Sequence, residues 1–195
     1  MKANLKTPLL TLLTAAISCA LPLAAGATDQ GDTDAHFSSN FSPIVEKVRA
    51  AVLSLPRSEL AKYGAILKTP CVTGPEFGAM GVHLINADNV DGVVNVNKPE
   101  ALIYEPQANG RLRIVGVEYI VPKDAWDAAN PAQPGLPSPR PSLEGHLLNF
   151  VSSPNRYGIE GGFFEIHVWA FEDNRKGALT DWNPAVTCEK QRLPN

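Results

Sequence analysis

Cysteine is scarce in this 195-residue chain: there are three, at 19, 71 and 188. None forms a C-x-x-C pair, which excludes a zinc ribbon and a thioredoxin-type redox motif. A basic surplus is missing too, since 17 Lys and Arg stand against 20 Asp and Glu for a net charge of −3. Without a concentrated basic patch, nucleic acid is excluded as an expected partner. There is no Gly-x-Ser-x-Gly elbow and no H-E-x-x-H, so nucleophilic and zincin-type hydrolysis lack their usual sequence support. The glycine-rich stretch from Thr73 to Gly81 has no Lys-Ser/Thr of a P-loop and reads as a loop whose glycines let backbones approach closely. Beyond residue 24 no apolar run approaches the roughly 20 residues of a membrane-spanning helix.

What is present begins with a leader. Lys2 and Lys6 precede an apolar run from Leu9 to Ala24 and the small-residue site Ala25-Gly-Ala27. That order predicts a secretory signal peptide over 1–27, and Pro8 and Pro22 count against a spanning helix. A rival site, Ala16-Ile-Ser-Cys19, would anchor the chain as a lipoprotein at Cys19, but Ala16 stands where Leu is expected. The leader holds two of the 17 basic residues and none of the 20 acidic ones, so the expected mature chain has 15 against 20, a net −5. Such a chain is secreted or periplasmic. Loss of Cys19 leaves Cys71 and Cys188, which an oxidising compartment is expected to join as a disulfide. Closing so long a loop contributes roughly 4 kcal/mol in chain-entropy terms.

Residues 28–40, rich in Asp, Ser, Thr and Gly, read as a flexible N-terminal arm, and 41–195 as a single domain. Ser42-Pro43, with Glu46 in the first turn, marks a helix start; Ile44, Val48, Val52 and Leu55 follow at helical spacing, with Val45 and Ala51 widening the apolar stripe. Pro56 ends that helix, and Arg57 to Leu67 reads as a second. Strands are predicted at Ala79–Ile85, Val93–Val96, Ala101–Glu105, Arg111–Val121 and Gly161–Phe171. Asn109-Gly110 between two apolar runs signals a hairpin. Pro131, Pro134, Pro137, Pro139 and Pro141 make 122–145 an extended, Pro-rich segment, read as a lid pinned by Trp126, Leu136 and Leu143. The predicted fold class is α+β: N-terminal helices on a curved, mainly antiparallel sheet or partial β-barrel.

Three strands carry a polar residue where the pattern says core. Phe163, Glu165, His167, Trp169 and Phe171 share one face of the last strand, with apolar residues on the other. His83 lies within Ala79–Ile85. Glu118 shares its face with Leu112, Ile114 and Ile120, while Val115, Val117 and Tyr119 occupy the opposite one. A buried, unpaired carboxylate costs several kcal/mol or stays protonated, so Glu118 needs a partner. Two readings stay open. In one, Glu118 is hydrogen-bonded or ion-paired to His83, His167 or an arginine such as Arg113. In the other, His83, Glu118 and His167 form a two-His, one-carboxylate site for a divalent transition metal (Zn, Fe, Mn or Cu), with His146 at the end of the lid as a further candidate ligand. Glu165, two residues before His167, is the candidate general base, or a half-exposed residue with no role.

The segments Gly78–Asn86, Pro99–Pro106, Leu112–Pro122, Glu165–Trp169 and Trp182–Cys188 together resemble a set of small secreted bacterial proteins with no established activity. The pattern is GxMGxH, LxYEP, GVEYxVP, HVW and WNPxVxC over residues 70–188. The chain departs from it at Asn174–Gly177, where the relatives tend to have Asn-Pro-x-Gly. The resemblance implies an exported domain and names no reaction. From the residues themselves, the alternative to a metal protein is a non-catalytic periplasmic binding module for a small apolar ligand, with the His and Glu residues purely structural.

Overall fold

The computed structural model describes residues 42–74 and 76–191. The predicted signal peptide, the Cys19 lipidation site and the 28–40 arm lie outside the described residues. Helix α1 (Pro43–Leu53) begins at Ser42, whose backbone is extended and whose side chain makes no capping bond. Pro43 sets the start instead, its fixed φ matching the first helical position. The predicted stripe is the buried one: Ile44, Val45, Val48, Ala51 and Val52 face the core, each worth about 1.5–3 kcal/mol for a large side chain on removal from water.

The second helix is shorter than its sequence suggests. Only α2 (Arg57–Leu60) is helical. The Gly64 N–H bonds to the carbonyl of Ile85 at 3.0 Å, and the chain then extends into β1 (Leu67–Lys68), paired with β3 (Gly78–Ile85). Long-range strand pairing overrides weak local helix propensity here. Between them lies β2 (Val72–Gly74), on the first half of β3.

Strands β4 (Ala101–Pro106) and β5 (Leu112–Pro122) form the predicted hairpin. After α3 (Lys123–Ala129) come a small ladder of β6 (Ser142–Leu143) with β7 (His146–Leu147), then β8 (Asn149–Val151) and β9 (Phe163–Val168). The main sheet has seven strands in the order β1-β3-β4-β5-β9-β8, with β2 also on β3. Its pairings are antiparallel and it stays open rather than closing into a barrel.

One face of the sheet, with Leu102, Val117, Tyr119, Val121, Phe164, Ile166 and Val168, packs under α1. The opposite face carries two smaller apolar clusters. Ala79, Ile103, Val115, Trp169 and Val186 form one; Ile85, Ala101, Ile120 and Phe163 form the other.

Several expectations are corrected. Val93–Val96 is not a strand: Asp91 Oδ1 takes the Val93 N–H and Asn95 Oδ1 takes the Asn97 N–H, and such local bonds compete with a sheet ladder. A bulge sets Ile103 opposite Gly116 but Tyr104 opposite Ile114, leaving Val115 as the extra residue. Side chains before the bulge change faces, so Ile114 packs on the α1 side and Val115 joins Trp169. Phe171, beyond the end of β9, likewise packs on the α1 side with Ala170 rather than beside His167. The Pro-rich segment lies on the α1 side as well. Leu143 is buried in that core, Glu144 pairs with Lys47 of α1 at 2.7 Å, and Leu136 is exposed.

The C-terminal stretch returns to the sheet beside β3, where Ala79 bridges Asn183 and Cys71 is bonded to Cys188. Gly78 makes this approach possible: its φ is +90°, and a Cβ there would meet the Asn183 carbonyl oxygen at 2.2 Å.

Candidate metal centre

Glu118 on β5 lies directly opposite His167 on β9. His83 comes from β3, across the intervening β4. There its neighbours on the same face are Ile103, opposite His83, and Ala101, which is opposite both Ile85 and Glu118. The small Ala101 side chain leaves room for imidazole and carboxylate to meet over β4, whose two flanking strands are about 9.5 Å apart.

All three side chains are fully buried. His83 Nε2 is 3.2 Å from His167 Nε2 and 3.4 Å from Glu118 Oε2. His167 Nε2 is 3.9 Å from the same oxygen. Each residue offers one ligand atom, all within 4.8 Å of one another, a grouping that could hold a metal ion. Zinc-like ions sit about 2.0–2.2 Å from nitrogen and oxygen ligands, so tetrahedral ligand atoms are about 3.3–3.6 Å apart. Two of the observed separations fall within about 0.1 Å of that range, and the third corresponds to a wider angle.

The outer nitrogens also have partners. His83 Nδ1 lies 3.4 Å from Thr69 Oγ1, which accepts the His83 backbone N–H at 3.0 Å. His167 Nδ1 faces Asp181 Oδ1 at 3.5 Å, and neither atom makes a conventional hydrogen bond. A carboxylate behind an imidazole orients the ring and raises its basicity toward a metal on the other nitrogen. The His167 contact holds the Asp181 carboxyl below its ordinary range. Trp169 stacks on the His167 ring, with centroids 6.2 Å apart.

The covering layer is the loop between β8 and β9. Asn155 Oδ1 accepts the N–H groups of Tyr157 and Ile159, and its Nδ2 donates to the Ile159 carbonyl. That clamp presents Arg156 and Tyr157 to the sheet. The Tyr157 hydroxyl donates to Glu118 Oε2. Arg156 Nη2 donates to Glu118 Oε1 at 2.7 Å and to Glu165, bridging two carboxylates. Burial pushes the Glu118 carboxyl well up, and the neighbouring Glu165 adds to it, against the pull of Arg156 and Tyr157. Burial, then His167 and Arg156, hold His83 well below the usual imidazole value, which keeps its nitrogens neutral and able to ligate. Three carboxylates, Glu118, Glu165 and Asp181, thus face one guanidinium. A proton on Glu118 or a bound cation relieves that surplus.

The structure therefore brings together the three strand residues singled out from sequence and leaves His146 out. His146 is exposed on β7, beside Glu144 and Lys47 of α1. Arg113 is not the partner of Glu118; it pairs with Glu105 at 2.8 Å and with Glu172. Nor is Glu165 half-exposed: it is buried and held by Arg156. With His167 and Asp181 it forms a second group of closely spaced ligand atoms. Arg156, Tyr157, Thr69 and Asp181 escaped the sequence reading. The available signal was that Glu118 required a cation, and Asn155-Arg-Tyr-Gly158 is a polar turn just before the strand that faces it. No protein-family model, curated protein or solved structure matches the chain.

Proposed function

We propose that this is an exported protein that binds one divalent transition metal ion through His83 Nε2, His167 Nε2 and Glu118 Oε2. The observation that carries the reading is the triangle of 3.2, 3.4 and 3.9 Å among those buried atoms. Asp181 and Thr69 support it by standing behind the two imidazoles, as outer-shell partners do. Two nitrogens and one oxygen suit Zn, Fe, Mn or Cu, and three protein ligands leave a position for a further ligand. Export is supported by the Cys71–Cys188 bridge, which belongs to oxidising compartments, and by the leader-like first 27 residues.

The 3.2 Å separation of the two Nε2 atoms also suits an N–H···N hydrogen bond, which favours a second reading: a metal-free polar network that anchors the core. The two are separated by elemental analysis of untagged protein beside His83→Ala and His167→Ala. The metal reading expects near-stoichiometric metal in the parent and loss of it in both variants, at nearly unchanged secondary structure. Protein that carries no metal and takes up none of the four ions when they are added sinks it. Each substitution would then read out only as lost stability.

A further inference from the structure

A second feature lies on the same face of the sheet, beside the three residues of the centre. Ile85 follows His83 by two residues on β3, and Ile120 follows Glu118 by two on β5. Side chains two apart on a strand share a face about 6.6 Å on, so each isoleucine is the next same-face residue after a ligand, with Ile85 in the row of Ala101 and Glu118 and Ile120 in the row beyond. They line a cleft of about 160 Å³ with Leu67, Val90 and Ile159 as walls. Tyr157 belongs to both places: it lines the cleft and its hydroxyl is bonded to Glu118 Oε2.

The lining decides the ligand class. No charged side chain lines the cleft, and its one side-chain hydroxyl is already committed to Glu118. An ion or a sugar entering it would lose hydration with nothing in return. The volume is close to the roughly 150 Å³ of an engineered apolar cavity that takes up benzene. We propose that this cleft is the ligand subsite of the His83–Glu118–His167 centre, and that it takes a small, uncharged, apolar molecule or group of about benzene's size, with Tyr157 as the partition between the two. The inference rests on the metal reading for the centre but not for the cleft.

The test uses protein with isotopically labelled isoleucine methyl groups, loaded with Co(II) as a spectroscopic stand-in, and benzene as the probe. Ala87 lies exposed at the rim, so Ala87→Phe fills the cleft without touching a ligand. The expected result is a saturable shift of the Ile85, Ile120 and Ile159 methyl signals, lost in Ala87→Phe at unchanged cobalt content, together with a change in the visible cobalt bands. Shifts that never saturate, or that are the same in Ala87→Phe, overturn the cleft as a binding site. Saturable shifts with unmoved cobalt bands overturn its link to the centre. Failure to take up cobalt or any of the four native candidates overturns the metal reading and that link, and the methyl titration still decides whether the cleft takes an apolar molecule.

Discussion

Arg156 shows how one side chain holds the buried site together. Its side chain is one-fifth exposed and its guanidinium bridges two buried carboxylates, so removing it leaves Glu118 and Glu165 facing each other without a cation. Breaking a buried pair in this way costs about 3–5 kcal/mol. Arg156→Met is expected to lose that much in urea unfolding, and adding Glu165→Gln to it should recover part of the loss; a fully additive double variant would contradict the bridge. Glu100 is a simpler case. It lies just before Ala101, the first residue of β4; it is buried, and its carboxylate accepts the Ile120 N–H at 2.9 Å. Burial raises its carboxyl well above the ordinary range despite that bond. A carboxyl whose folded value is raised holds its proton more tightly when folded, so its contribution to stability is greatest below the unfolded value and falls as pH rises through the window between the two. Glu100→Gln keeps an acceptor for Ile120 and removes the charge. The variant should therefore lose less stability than the parent between pH 4 and pH 7, measured by urea midpoints; parallel profiles would refute a raised Glu100.

At the scale of the element, α1 is the clearest match between pattern and packing. Its apolar stripe is the face that covers the sheet, while Leu53 on the other side is 72% exposed. Ile44→Ala should cost about 2–5 kcal/mol by opening a cavity in that core. Leu53→Ala should change stability by no more than about 0.5 kcal/mol. Equal effects in the denaturation midpoints would mean the helix docks by another face. Strand β5 teaches the opposite lesson. Its alternation reads as one continuous face from Leu112 to Ile120, yet the bulge at Val115 divides it. The flip places Val115 against Trp169, beside the His167 ring that Trp169 stacks on. The bulge therefore lies within the packing that supports the centre.

For the whole molecule, the disulfide is the long-range tie. It joins Cys71, between β1 and β2, to Cys188 across 117 residues. The chain-entropy term for such a loop is roughly 4–5 kcal/mol, and the paired Cys71→Ser, Cys188→Ser variant is expected to be less stable by that order in urea. An unchanged midpoint would show that the unfolded chain gains little freedom when the bridge is absent. The same C-terminal stretch carries Asp181 and Val186 to the site face of the sheet. Loosening it is therefore expected to weaken the orientation of His167 as well as the fold.

The amino-acid pattern by itself determined α1, the β4–β5 hairpin through Asn109-Gly110, and the placing of His83, Glu118 and His167 on strands among apolar neighbours. These are local properties, carried by a period of two or of 3.6 and by turn chemistry. Tertiary structure alone decided that the three residues meet, because their convergence depends on the register of β3, β4, β5 and β9 and on Ala101 being small. It also decided which loop covers them. Arg156 and Tyr157 lie in a turn with no periodicity to mark them, while the conspicuous prolines lead to the other side of the sheet. A buried carboxylate announces that it needs a cation; which cation answers is settled by the path of the chain in space.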